Sequence, residues 1–315
     1  MTAVSSVEAQ ARLQANLLQI WGRLLESTDL SIDDDFFDKG GDSLLATEMM
    51  LELERLVGKP VPETLLFETS TIRTLTDKLT QTQKLELKPA VKIGKVFNGG
   101  TPLLFFHGDW TAGGFYVQNL ARKLGPELSV IAIAPHGTRD QPMLPSIEAM
   151  AAERLPAILD AQSNGPYRLG GHCVGAAVAF ETARLLMARG EQVELVAMVE
   201  PLWIVDGEFL KLPQTSSIQS NEAVTPANVD SDPIILEEYR ECLLRYSPAP
   251  LSASLIIFSS EFDGRPWSQL GSDCELFEVA GGHYDWITIR ADNFADKLKS
   301  RLLRARTAVE GQNGG

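Results

Sequence analysis

The sequence predicts two domains, a small all-α bundle of four helices followed by a larger α/β domain with a mostly parallel sheet. Three observations predict this. The 315 residues suggest two domains at about 150 residues each. Apolar residues in the first 80 positions recur at helical spacing. From Pro102 onward, short apolar runs alternate with helical stretches, as parallel strands alternate with the helices that cover them.

In the first part, Leu13, Leu17, Trp21 and Leu24 share one helical face, and Leu45, Met49, Leu53 and Leu56 share another that ends near Gly58-Lys59-Pro60. A short helical turn is expected around Thr64–Phe67, and Thr71 begins a last helix carrying Ile72, Leu75 and Leu79. We take residues 1–82 as the bundle and 83–98, charged and without period, as a linker. Strands are expected at 103–107, 128–135, 167–171, 194–200 and 253–259, with helices near 115–124, 146–162 and 174–189. Residues 202–249 are too long for an ordinary connection and read as a lid inserted in a domain spanning 99–305. Residues 306–315 read as a disordered tail.

Charge and cysteine content narrow the function classes. The net charge of −14 argues against nucleic acid or an anionic membrane as partner. Residues 1–80 hold 14 Asp and Glu against 7 Lys and Arg, which suggests a module that docks on basic partner surfaces. Three scattered cysteines, Cys173, Cys242 and Cys274, are too few for a metal cage or a disulfide framework. With neither a signal peptide nor an apolar run of about 20 residues, a cytoplasmic location is expected.

Two motifs carry chemistry. The first runs Asp35-Phe36-Phe37-Asp38-Lys39-Gly40-Gly41-Asp42-Ser43-Leu44, between the first two helices. Two glycines permit a tight turn, and Asp42-Ser43 open a helix whose free N–H groups favour a phosphate. Asp and Ser in this position are also common as a plain helix cap. The paired phenylalanines read as core or loop anchors.

The second motif, Gly170-Gly171-His172-Cys173-Val174-Gly175, ends an apolar strand and opens a helix. This is the G-x-S-x-G elbow with cysteine in place of serine. Small residues let strand and helix nearly touch, so that the nucleophile projects above the sheet. A thiol at a helix N-terminus near a histidine is a ready nucleophile. Val174 N–H is one expected oxyanion donor, and the Asp109 backbone N–H, after Phe106-His107-Gly108, is the other. A small cysteine ending a strand is commonly core packing, and Cys242 and Cys274 are read that way. His107 and His172 read as packing or polar lining rather than bases, and His136 and Trp110 as structural or pocket-wall residues.

Over residues ~8–80 the sequence resembles the acyl and peptidyl carrier proteins of polyketide and nonribosomal peptide assembly lines. The resemblance implies 4′-phosphopantetheine attached covalently to Ser43. It also implies a phosphopantetheinyl transferase and upstream loading or chain-elongating enzymes as partners. Residues ~97–305 resemble the type I thioesterase domains, α/β-hydrolases that release chains from carriers. By that resemblance Cys173 is the nucleophile, His283 of Gly281-Gly282-His283 is the base, and Glu200, 27 residues after Cys173, is the acid. Asp263 is the alternative acid, since other α/β-hydrolases keep theirs after the next strand. The order nucleophile, acid, base is the one this fold requires.

The expected activity is release of an acyl or peptidyl thioester, by hydrolysis, cyclisation or transfer to another nucleophile such as an amine. A domain that has lost its serine and only holds the loaded carrier is the alternative.

Overall fold

The computed structural model describes residues 3–62, 65–81, 89–93, 101–108, 114–125, 128–138, 141–212, 233–287 and 290–312. The chain divides into two compact units, Met1–Val91 and Lys92–Gly315.

Four helices build the first unit: α1 (Ala3–Leu24), α2 (Ser43–Val57), α3 (Leu65–Glu68) and α4 (Ile72–Thr80). Their core holds Leu17, Trp21, Met49, Leu53, Ile72 and Leu75, which the helical spacing selects, together with Leu66 of α3. Phe36 and Phe37 complete it from the loop between α1 and α2, both buried. Phe36 meets the Trp21 ring edge-on at 5.0 Å. Asp35 fixes this loop by accepting the N–H groups of Phe37 and Asp38 at 2.9 and 3.1 Å and the hydroxyl of Ser70. Gly40 then turns the chain with φ of 101°, a conformation that side chains disfavour. Asp42, in extended conformation, caps α2 by accepting Leu45 N–H at 2.9 Å.

The second unit is built on a seven-stranded sheet with helices, whose first strand begins just before the boundary at Val91. Its strands are β1 (Ala90–Ile93), β2 (Leu103–Phe106), β3 (Val130–Ile133), β4 (Tyr167–His172), β5 (Val193–Val199), β8 (Ser254–Ser259) and β9 (Asp273–Glu278), in the order β1-β3-β2-β4-β5-β8-β9. A small antiparallel hairpin, β6 (Ile204–Val205) with β7 (Glu208–Phe209), follows β5. From β3 to β9 every neighbouring pair is parallel. The helices are α5 (Tyr116–Leu124), α6 (Ile147–Ala161), α7 (Val174–Ala188), α8 (Pro233–Arg245), α9 (Arg265–Ser268) and α10 (Ala291–Gln312). Strands β2, β3 and β4 are buried along their whole length, as expected for central parallel strands.

Two expectations need correction. The stretch 83–98 read as a linker contains β1, a strand too short and too mixed in composition to stand out. The tail expected to be disordered from 306 is helical, because α10 runs on to Gln312. The stretch 202–249 that the sequence reads as a lid holds the β6–β7 hairpin near its start and α8 near its end, while 213–232 lie outside the described residues. Among the described residues, no helix is long and apolar enough to cross a membrane.

Candidate active site and carrier site

In an open parallel sheet the loops beyond the carboxyl ends of the strands form the natural crevice for a ligand. Four such ends converge here. Cys173 follows β4, Glu200 follows β5, Ser260 follows β8, and His283 lies in the loop after β9.

Cys173 has φ 57° and ψ −127°, a strained conformation for a residue with a side chain. The strain persists because β4 and α7 pack almost against each other. A Cβ at Gly175 would run into the Phe106 carbonyl, and one at Gly171 into the Gly175 backbone. The elbow places Cys173 just ahead of α7, whose first N–H, Val174, needs no intrahelical partner. The Cys173 side chain does not cap α7, so the N-terminal dipole of the helix faces the site. Asp109, expected to give the second oxyanion donor, lies outside the described residues.

The Cys173 thiol lies close enough to the His283 imidazole to bear on its charge. Burial opposes a charge on that ring, but Cys173 and then Glu200 outweigh it and raise His283 to about 10. Glu200 Oε2 stands 3.9 Å from His283 Nδ1, an ion-pair separation rather than a hydrogen bond. Among the described residues Nδ1 has no hydrogen-bond partner, so Glu200 is the charge drawn up to it.

Glu200 is completely buried and has φ of 49°. Four donors from the loop after β8 hold its carboxylate. Ser260 N–H and Ser260 Oγ, the latter at 2.6 Å, reach Oε1, while Glu261 and Phe262 N–H reach Oε2 at 3.0 Å each. Ser260 Oγ also lies 3.1 Å from the Gly282 carbonyl, so it links the carboxylate cage to the loop of His283.

Asp263 faces elsewhere. Its carboxylate takes two hydrogen bonds from Arg265 Nε, at 2.9 and 3.0 Å, and one from Nη2 at 2.5 Å. This pairing with Arg265 holds its pKa below the ordinary carboxylate value.

Cys242 and Cys274 lie away from this cluster. Cys242 is buried on α8 with Sγ 3.5 Å from the Leu144 carbonyl, and burial pushes both thiols up, Cys274 to about 11. Helix α8 is pinned to the domain through Tyr239. Its hydroxyl accepts His136 N–H at 3.0 Å and donates to the His136 carbonyl at 2.9 Å. Neither Ser260 nor Tyr239 stands out in the sequence. Their roles depend on backbone groups that only the folded sheet brings within reach.

In the carrier unit, Ser43 is the first residue of α2, between exposed Asp42 and Leu44. A capped 15-residue helix that starts between exposed residues fits a phosphoryl-linked group, because the N-terminal N–H groups and dipole favour its negative charge.

Comparison with known proteins bears on both units. The family described as phosphopantetheine attachment site matches residues 15–79, and the family described as thioesterase domain matches residues 101–201. The indigoidine synthase of Dickeya dadantii is 33% identical over 193 residues, 60% of this chain but 13% of that protein. A dimodular nonribosomal peptide synthase of Bacillus subtilis is 28% identical over 187 residues, 58% of this chain and 8% of the relative. The chain thus spans a small fraction of the curated relatives it matches.

Among solved structures, holo-AB3403, a four-domain nonribosomal peptide synthetase, aligns with 91% of this chain and 26% of its own at a TM-score of 0.54 and 22% identity. The type II thioesterase BorB from the borrelidin cluster aligns with 68% of this chain and 97% of its own, at 0.52 and 22%. At that identity the likeness is one of fold. The chain joins a carrier domain, which takes covalent 4′-phosphopantetheine, to a thioesterase domain of the α/β-hydrolase-like fold.

Proposed function

We propose that the α/β domain releases an acyl or peptidyl chain through a covalent Cys173 acyl-enzyme, with His283 as base and Glu200 as the carboxylate that orients it. The observation that carries this reading is the convergence of three side chains. A strained, buried thiol stands beside an imidazole whose charge it favours and whose Nδ1 faces a caged carboxylate.

The 4′-phosphopantetheine on Ser43 supplies the thiol on which the chain arrives as a thioester. Cys173 Sγ attacks the thioester carbonyl after its proton passes to His283, and Val174 N–H steadies the oxyanion. Collapse expels the carrier thiolate, which takes that proton from His283, and leaves the acyl group on Sγ. A second nucleophile then gives its proton to His283 as it attacks, and the Cys173 thiolate leaves and is reprotonated. Glu200, rather than Asp263, serves as the acid. Its four donors fix it in place, whereas the carboxylate of Asp263 is engaged by Arg265. Upstream loading or chain-elongating enzymes supply the acyl group.

The cysteine favours a second nucleophile other than water. An acyl-serine is an oxyester and has lost the activation of the incoming thioester, whereas an acyl-cysteine is another thioester and keeps it. Such an intermediate can acylate an amine or close a ring that an ester would not. Product analysis of the wild type and Cys173→Ser, each with the same loaded carrier, tests this. The serine variant should acylate and then hydrolyse or stall. Equal yields of the same free acid from both proteins would leave a plain cysteine hydrolase. Release that is unaffected by Cys173→Ala would leave a domain that only holds the carrier.

A further inference from the structure

His172, the residue before the nucleophile, is completely buried, and the triad makes no direct use of it. Its ring lies against that of His283, with centroids 4.6 Å apart and planes inclined by 32°. On one edge, its Nδ1 is 3.4 Å from the hydroxyl of Tyr116, in the first turn of α5. The same hydroxyl accepts Gly108 N–H at 3.2 Å, in the loop after β2. On the other edge, its Nε2 is 3.3 Å from the backbone carbonyl of His283.

A single tautomer satisfies every one of these contacts. The carbonyl can only accept, so the proton sits on Nε2, and the bare Nδ1 accepts from the Tyr116 hydroxyl. Burial, and then the neighbouring His283, hold this ring well below its ordinary pKa, which keeps it neutral. The path Gly108–Tyr116–His172–His283 therefore ties the loop on the expected oxyanion side to the loop of the base. On the acid side, Ser260 Oγ lies 3.1 Å from the adjacent carbonyl of Gly282, but its single proton goes to Glu200 Oε1 at 2.6 Å. Of the two side chains, His172 is therefore the one that donates to the segment carrying His283.

We propose that His172 is a positioning residue: a neutral, Nε2-protonated imidazole that fixes the backbone of His283 and so holds the base against Cys173. The inference rests on the reading of Cys173 and His283 as nucleophile and base. It adds a requirement on the elbow itself, namely that the side chain before the nucleophile must donate a hydrogen bond without carrying charge.

Two variants of the full-length chain test it. His172→Phe keeps the ring and its stacking but removes both polar edges, while His172→Gln keeps an N–H donor at about the reach of Nε2. The first readout is the titration of the His283 imidazole followed by NMR. Its midpoint should be near 10 in the wild type and in His172→Gln. In His172→Phe it should fall by about one pH unit or more as the ring drifts from Cys173 and Glu200. The second readout is turnover of the hexanoyl thioester of N-acetylcysteamine. His172→Phe should lower kcat about 100-fold with KM unchanged, and His172→Gln should recover most of that loss.

Wild-type titration and kcat in His172→Phe would overturn the proposal, as would equal losses in the two variants. If His172→Phe does not fold, Tyr116→Phe replaces it. Removing that hydroxyl should lower kcat by about tenfold at unchanged KM, and a wild-type kcat would overturn the proposal. The titration needs no substrate and decides alone where the probe is not turned over. Failure of the underlying reading looks different. A wild-type His283 that titrates near the ordinary 6.5 contradicts its pairing with Cys173 before any His172 variant is made.

Discussion

Ser43 and Cys173 are both small nucleophilic residues at the start of a helix, and they are built in opposite ways. Ser43 opens α2 after Asp42, which has extended backbone and spends its carboxylate on Leu45 N–H. Cys173 precedes α7 with φ of 57°, and its side chain does not cap the helix behind it. The first helix start is relaxed, with exposed neighbours on both sides, as suits a residue that another enzyme modifies once. The second is strained and buried, as suits the proposed nucleophile, which would repeat a reaction with water held back. The difference teaches that a helix N-terminus is not a function. What occupies its donors, and what stands beside its nucleophile, decides whether it holds a group or turns one over.

Substitutions can break this contrast. Ser43→Ala should abolish the gain of one phosphopantetheine mass after coexpression with a phosphopantetheinyl transferase, read by intact mass spectrometry. It should leave turnover of a soluble thioester by the α/β domain unchanged. A modified Ser43→Ala protein would move the attachment site.

On the other side of the comparison, Glu200→Gln should slow turnover by about 10⁴, the loss seen when a triad carboxylate becomes an amide. Asp263→Asn should change it only a few-fold, because that carboxylate serves Arg265. The reverse pattern in kcat would transfer the acid to the later strand.

Smaller effects sharpen it. His283 is raised to about 10 in the folded protein, against 6.5 when unfolded. The stability this contributes is fully present below pH 6.5 and is lost as the pH rises towards 10. Thermal melts should therefore fall more steeply between neutral pH and pH 10 in the wild type than in Cys173→Ala, which lacks the thiol that raises His283. Parallel curves would show that the pair contributes nothing. Smallest of all, Asp42→Ala should cost the carrier unit about 1 kcal/mol in denaturant melts by uncapping α2. The residue in the same place before α7 makes no such cap to remove.

The sequence made the central elements legible where burial is one-sided or complete. Leu13 to Leu24 and Leu45 to Leu56 repeat at helical spacing, and the apolar runs around β2, β3, β4, β5 and β8 mark strands buried between helices. Edge strands were another matter. Strand β9 reads Asp-Cys-Glu-Leu-Phe-Glu and is only half-buried, so it shows no apolar run to recognise. Likewise β1 has four residues, and its charged surroundings hid it. The position of Cys173 at the end of β4 followed from the elbow, which demands small residues at fixed offsets, whereas Glu200 and His283 were expected only from the family resemblance. The carboxylate cage and the His172 contact could not follow, since they join residues 60 and 111 positions apart through backbone atoms that carry no sequence signature.

The measurement closest to the central claim is peptide mass spectrometry of the full chain, quenched at short times after an acyl-phosphopantetheine has been loaded on Ser43. The acyl mass should leave the Ser43 peptide and appear on the peptide containing Cys173 before product forms. It should remain on Ser43 in Cys173→Ala. An acyl group that never appears on Cys173, while product forms at the same rate with and without the thiol, would contradict the account.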